Sequence, residues 1–260
     1  MSTEMSISEH ISEMRSRLFR ILIFTIIITV FSISFGIKQL DVGGLVLFYP
    51  SPDPIKNIAV QLTVYMEKTL LPVSVKVIQT TPGEAFFAQI YVAILLGIIG
   101  SMPVVIKEIV GFISPAFGQR TKKLSFSVMA QSLSLFIIGV SFSYVLVIPF
   151  TINFLYKYGQ ALGLETFLNI NDFITFILQF FLGFGIAFEL PMIMYAISMT
   201  GIIESLFWRK NFRYAAFILI IFGAIITPDG SGITMWFVAG PMMGLYVVGM
   251  TIIERKHTRK

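Results

Sequence analysis

Residues 173–200 read FITFILQFFLGFGIAFELPMIMYAISMT, and this run decides the fold class. About 20 apolar residues cross a bilayer as an α-helix, so the run is long enough to span a membrane. Its one carboxylate, Glu189, costs roughly 2.5–3.5 kcal/mol to insert and is expected to be paired, protonated or turned towards a polar cavity. Pro191 frees a backbone carbonyl and bends the helix near the same depth. The run therefore predicts a membrane helix that carries a functional polar site at a bend.

The composition of the whole chain agrees with a polytopic membrane protein. Of its 260 residues, 56% are hydrophobic and 13% are charged, whereas soluble domains are about 25% charged. The chain has no Cys, which excludes disulfides, thiolate metal sites and cysteine nucleophiles. The two histidines, His10 and His257, lie near the termini, and no hydrolase or phosphate-binding motif is visible. We expect no enzyme activity, no metal and no cofactor.

Six apolar segments are candidates for membrane spans. They are residues 18–37, 85–106, 124–150, 173–200, 214–226 and 233–253. The fifth segment reaches only about 20 Å as a helix, so a re-entrant segment is an alternative, although the turn TPDGSG at 227–232 leads directly into another apolar run. We predict an all-α polytopic membrane protein with six transmembrane helices, short fifth and sixth spans and a concave helix assembly. Residues 1–260 would form one integral membrane domain.

The positive charges predict the orientation of these spans. Most of the 19 Lys and Arg residues lie in the N-terminal segment, in the connections after the second and fourth spans, and in the C-terminal tail. Because positive charge is retained on the cytoplasmic side, both termini are expected in the cytoplasm of a multi-pass cell-membrane protein. The long loop 38–84 would then be external, with its stretch 55–71 lying over the outer face as short helices.

The first 17 residues have the pattern of a short amphipathic helix on the cytoplasmic surface. Its apolar stripe consists of Ile7, Ile11, Met14 and Leu18. Glu13 and Arg17 are spaced i, i+4 on the polar side, a favourable arrangement for an ion pair. On this pattern alone, the favoured interpretation is a simple interfacial anchor with positive-inside charges.

Two further carboxylates lie at predicted membrane boundaries. Glu108 is at the cytoplasmic end of the second span, where helix carbonyl groups disfavour a negative charge. It is either part of a solvated edge with Lys107 or an acceptor for a cationic ligand. Asp229, at the outer end of the fifth span, is either a turn residue or a polar site.

Four motifs in order resemble the TatC family, the multi-span subunits of the twin-arginine translocase. They are HISEMRSRL at 10–18, PVVIKEIVGFISPAF at 103–117, FELP at 188–191 and TPD at 227–229. With six spans and a large first external loop, the resemblance covers nearly the whole chain. It implies a receptor that binds the paired arginines of signal peptides on folded cargo and assembles with single-span TatA and TatB partners. The proton-motive force would drive export.

The resemblance implies a role in signal-peptide binding for Glu13, Phe112 and Pro115, and a role in meeting partner helices for Glu189. From the residues themselves we add Arg17 and Glu108 to the predicted signal-peptide site, and Pro191 and Asp229 to the predicted partner-binding polar site. The chain departs from the family where Thr121 stands at a position that is often acidic, and we expect Glu108 to substitute for that acid. The alternative function is a proton-coupled secondary transporter that uses Glu189 as its relay, but the two matching halves typical of transporters are not visible.

Overall fold

The computed structural model describes residues 7–42, 44–113, 121–199, 203–227 and 232–257. The helices of these residues are α1 (Ile7–Ser34), α2 (Ile58–Leu70), α3 (Glu84–Ile113), α4 (Thr121–Phe142), α5 (Ile148–Ala161), α6 (Ile170–Phe188), α7 (Leu190–Met199), α8 (Ser205–Lys210), α9 (Phe212–Ile226) and α10 (Ile233–His257). The strands are β1 (Phe35–Val42), β2 (Leu45–Pro52), β3 (Lys76–Ile78) and β4 (Phe167–Asn169).

The helices confirm the prediction of an all-α polytopic membrane protein. Five helical stretches of the described chain are long and apolar enough to cross a membrane, and α9 is a shorter apolar helix of 15 residues. The sixth span is longer than we predicted, because α10 continues for 25 residues into the basic tail. There, Arg209 Nη2 lies 2.8 Å from Glu254 Oε2. The third span is also longer: α4 passes through a π-helical turn, Ser143–Val147, into α5.

The predicted bend in the fourth span is a break between two helices. Glu189 ends α6, and its amide donates to the carbonyl of Ile186. The chain then re-forms as α7, in which Met192 and Ile193 donate to the Glu189 carbonyl. Since Pro191 has no N–H to donate, the interruption at Glu189 costs little hydrogen bonding.

The loop between α1 and α3 contains a β-hairpin that the sequence pattern did not predict. The first helix ends at Ser34, before the predicted boundary at 37, because the chain enters β1, which pairs antiparallel with β2. The side-chain amide of Gln61 on α2 exchanges hydrogen bonds with the backbone of Ile37 at 3.0 and 3.2 Å. At the hairpin base, the amides of Lys56 and Ile55 donate to Asp53 and hold the pKa of its carboxyl below the usual value. The helix α2 confirms the predicted helical stretch in this loop.

Close packing of α1 against α3 positions the residues in the first half of α1 beside those near the end of α3. Gly97 allows this approach, since a Cβ there would lie 2.8 Å from the carbonyl oxygen of Thr25. The hydroxyl groups of Thr25 and Ser101 lie 2.9 Å apart across the same contact. Most other side chains of α1 are exposed, as expected for a helix that faces lipid over much of its surface.

The helix α6 forms the centre of the packed core. Its fully buried side chains include Phe173, Phe180 and Phe184. Gly139 on α4 brings the two helices together, because a Cβ there would lie 2.6 Å from the Phe184 carbonyl oxygen. This packing fixes the depth at which Glu189 faces α4.

Candidate functional site

The Glu13–Arg17 ion pair predicted on the first helix is present. Arg17 Nη2 and Nε donate to the same oxygen, Glu13 Oε1, at 2.6 and 3.0 Å. The Glu13 side chain is 28% exposed, and no hydrogen bond to its second oxygen is described. Glu13 therefore keeps one oxygen with which a ligand can pair.

Glu108 is brought to this pair by the contact between α1 and α3. Arg17 Nη1 donates to Glu108 Oε2 at 2.8 Å and also approaches the Glu108 carbonyl oxygen at 3.3 Å. The structure therefore joins Glu13 and Glu108 through a single guanidinium. A planar guanidinium with several donors suits this bridging role.

Glu108 has a second cationic partner, which the sequence analysis treated only as an orientation signal. Arg20 Nη1 donates to Glu108 Oε1 at 2.7 Å. Arg20 follows Arg17 by three residues, so both side chains lie on one face of α1. The i, i+3 spacing of the two arginines was the available signal, but only the packing shows that the face meets Glu108.

The solvated edge of Glu108 and Lys107 is not what the structure shows. Glu108 is buried, at 4% exposure, whereas Lys107 is exposed and forms no ion pair with the described residues. The helix turns the two neighbours to different sides. The alternative interpretation, an acceptor for cations, agrees with the geometry, and the cations in this structure are Arg17 and Arg20.

A glycine and an aromatic residue follow Glu108 on the last turn of α3. Gly111 faces Arg17, and a Cβ at that position would lie 2.7 Å from Arg17 Nη1. Phe112 is half-buried and follows Glu108 by four residues on α3, so it lies on the same face. Pro115 lies outside the described residues, and of Thr121 only the backbone, at the start of α4, is described.

The second predicted site centres on Glu189. The hydroxyl of Ser132 on α4 donates to Glu189 Oε2 at 2.5 Å, while Glu189 Oε1 is buried without a hydrogen-bond partner. The sequence analysis missed Ser132, which was one of several serines in the third span. Pro191 is buried against α10, where a Cβ at Gly249 would lie 3.0 Å from the Pro191 Cα.

A groove of about 610 Å³ lies between α4, α7 and α10, and Pro191 rather than Glu189 is among its lining residues. Its polar lining includes Gln131, Ser134 and Tyr195, and its apolar lining includes Leu245 and Val248. Asp229, the third residue predicted for this site, lies outside the described residues. The structure therefore places Glu189 and Pro191 together and leaves Asp229 as a prediction.

The described residues contain no group of His, Cys, Asp or Glu that suits a metal ion. The two clusters consist of carboxylates, guanidiniums and hydroxyls. Such groups can bind and orient cationic or polar partners.

Comparison with known proteins identifies the family. Residues 9–241 match the family model for the Sec-independent protein translocase protein TatC. The chain is 46% identical, over 258 residues, to the Sec-independent protein translocase protein TatC of Cenarchaeum symbiosum (strain A), covering 99% of this chain and 98% of that protein. It is 28% identical to TatCy of Bacillus subtilis (strain 168), covering 98% of this chain and 91% of the relative.

A solved structure agrees with this result. The crystal structure of a twin-arginine translocase receptor TatC superimposes with a TM-score of 0.78 at 26% identity, covering 95% of this chain and 98% of that one. The match includes the helices that carry both candidate sites. The chain is therefore a multi-pass membrane protein that belongs to the TatC family of Sec-independent protein translocase proteins.

Proposed function

We propose that this chain is the receptor that binds twin-arginine signal peptides at the cytoplasmic face of the cell membrane. The observation that carries the proposal is the convergence of Glu13 and Glu108 on one guanidinium, that of Arg17. Two carboxylates from two helices form a site for cations at the membrane boundary. The family match over most of the chain favours this function over a proton-coupled transporter.

The chemistry of the site suits a peptide guanidinium. A carboxylate accepts the planar fork of arginine, and such charge-assisted hydrogen bonds are stronger than neutral ones. Glu13 has the more exposed side chain of the two carboxylates, 28% against 5% for Glu108. Glu13 is therefore the first contact for an arriving arginine, and Phe112 and Pro115 would contribute apolar surface for the residues that follow the pair.

The positive-inside rule supports the orientation that this function needs. The N-terminal helix and the start of α4 carry basic residues, as do α8 and the tail that follows α10. With both termini in the cytoplasm, Glu13 and Glu108 face the compartment from which folded cargo arrives.

We propose that Glu189 and Pro191, with Asp229, receive the single-span TatA-type and TatB-type partners of the translocase. Glu189 Oε1 is a buried acceptor without a partner in the described residues, and an unpaired buried acceptor costs about 1–3 kcal/mol. A polar group from a partner helix that reaches this oxygen would recover that energy. The proton-motive force would then drive export from the assembled complex, without nucleotide hydrolysis.

Site-specific cross-linking tests the receptor function directly. A photoreactive residue replacing Ser12, next to Glu13 on α1, is expected to cross-link to a peptide that carries an arginine pair before an apolar segment. The same peptide with Gln in place of both arginines should not cross-link. Glu13→Gln should weaken binding of the arginine peptide roughly tenfold or more.

The matched control is Glu165→Gln, which removes the same charge from an exposed position after α5. Binding by this variant should equal that of the parent. Equal cross-linking of the arginine and glutamine peptides would refute the receptor function.

A further inference from the structure

The two oxygens of Glu108 are both occupied by arginines of the chain itself. Arg17 Nη1 lies 2.8 Å from Oε2, and Arg20 Nη1 lies 2.7 Å from Oε1. Together with Glu13, the cluster consists of two carboxylates and two guanidiniums and has no net charge. An arriving arginine therefore finds an open oxygen on Glu13 but none on Glu108.

The two internal arginines are held very differently. Arg17 makes four hydrogen bonds, to Glu13 and to Glu108, and its side chain is 21% exposed. Arg20 makes the one described hydrogen bond, and its side chain is 54% exposed. Glu108 is buried, but water can compete for the half-exposed guanidinium of Arg20, and a single contact of this kind is weaker than the network that holds Arg17. Arg20 is therefore the group that an incoming guanidinium can displace.

We propose that Arg20 occupies the second arginine subsite and is displaced by the signal peptide, so that it sets the affinity for an arginine pair. This inference rests on the proposed receptor function. One peptide arginine pairs with the open oxygen of Glu13, and the other replaces Arg20 at Glu108 Oε1. Arg17 stays in place and keeps the two carboxylates together.

The exchange makes the second peptide arginine contribute less than the first. At Glu108 one charge-assisted hydrogen bond is formed while another is broken, and the released Arg20 is hydrated. At Glu13 no internal partner is lost. A receptor must release its peptide after recognition, and an internal competitor shortens the bound lifetime without changing the geometry of the site.

The test compares Arg20→Gln with Arg15→Gln on the full chain in lipid nanodiscs. Arg15 is exposed on the same helix and forms no ion pair with the described residues, so its variant removes the same charge without opening Glu108. The probes are fluorescent peptides with Arg-Arg, Arg-Gln or Gln-Arg before an apolar segment, and the readout is the Kd from fluorescence anisotropy.

We expect Arg20→Gln to bind the Arg-Arg peptide roughly fivefold more tightly than Arg15→Gln does. This ratio corresponds to the upper end of what a half-exposed ion pair contributes. The peptide that lacks the arginine that reaches Glu108 should bind equally to both variants. If the effect of Arg20→Gln appears only when the peptide carries the arginine that reaches Glu108, the two groups interact directly. An equal gain for all three peptides, or no gain for Arg-Arg, would overturn the inference.

Two comparisons distinguish failure of the receptor function from failure of the inference about Arg20. If the parent binds Arg-Arg no better than Arg-Gln and Gln-Arg, the receptor function fails and the inference fails with it. If the parent prefers Arg-Arg but Arg20→Gln behaves as Arg15→Gln, only the inference is wrong. Should Arg20→Gln not fold, Arg20→Lys replaces it, because an ammonium group lacks the guanidinium fork. The affinity of Arg20→Lys for the Arg-Arg peptide should exceed that of the parent. An equal or lower affinity would refute the role of Arg20.

Discussion

Gly111 on α3 stands directly against the guanidinium of Arg17 on α1: a Cβ at Gly111 would lie 2.7 Å from Arg17 Nη1. This contact allows Arg17 to reach Glu108 at 2.8 Å while it holds Glu13 on its own helix. The absence of a side chain at one position therefore determines whether two distant carboxylates form one site.

Gly111→Ala should separate Arg17 from Glu108. The end of the arginine side chain can move away, so the cost is a lost charge-assisted hydrogen bond, about 1.5–3 kcal/mol. We expect a lower thermal unfolding temperature and weaker binding of the arginine-pair peptide. Gly240→Ala is the control, because a Cβ there meets nothing within 4 Å; it should bind peptide as the parent does. Equal peptide binding by both variants would contradict the bridging role of Arg17.

Ser132→Ala should leave Glu189 without its hydrogen-bond donor on α4. Hydrogen bonds between membrane helices are worth about 0.6 kcal/mol on average and up to about 1.7. We expect a small decrease in stability, measured by thermal unfolding in detergent. Ser134→Ala is the matched control, since Ser134 donates only to the Ala130 carbonyl of its own helix. A smaller effect for Ser132→Ala than for the control would show that the contact to Glu189 is unimportant.

Glu189→Ala should impair assembly with single-span partners while it spares folding and signal-peptide binding. The variant removes the unpaired acceptor that we propose a partner helix satisfies. The measurement is the yield of the partner complex after purification in detergent, alongside peptide affinity. Normal complex yield from Glu189→Ala would refute the partner role of this carboxylate.

Lengthening the short fifth span should reduce transport. The 15 residues of α9 reach about 22 Å, less than a hydrocarbon core of about 30 Å, so we expect local thinning of the bilayer there. Inserting four Leu after Ile220 adds about 6 Å and should lower export but leave peptide binding unchanged. Unchanged export, with the C-terminal tail confirmed on the cytoplasmic side, would mean that thinning at this edge has no role.

Asp53→Asn should loosen the base of the β1–β2 hairpin in a pH-dependent way. Amide donors, led by that of Lys56, keep the pKa of Asp53 below its ordinary value. The carboxylate therefore stabilises the folded loop above the ordinary pKa, and this contribution is lost as the pH falls through the lowered pKa. The difference between parent and variant in unfolding temperature should be present at neutral pH and vanish in acid. If the difference in unfolding temperature persists in acid, the effect of the substitution does not come from the ionised carboxylate of Asp53.

Several features followed from the sequence by itself. Apolar length determined the membrane helices, because each helix satisfies its own backbone hydrogen bonds in lipid. Local spacing predicted the Glu13–Arg17 pair, and Pro191 predicted a bend close to where the helix is interrupted at Glu189. These features depend on residues within one helical turn or one span, so no tertiary information was needed. The hairpin was missed, although Gly43-Gly44 between its strands is a turn signal.

The tertiary structure alone decided which charges meet. Glu108 faces Arg17 and Arg20 rather than its neighbour Lys107, because α3 turns that face towards α1. Ser132 meets Glu189 because glycines let α4 approach α6 closely. Such pairings join residues that are 57 to 91 positions apart, and they depend on helix rotation and on the space left by missing side chains. Neither quantity is determined by the residues of a single helix.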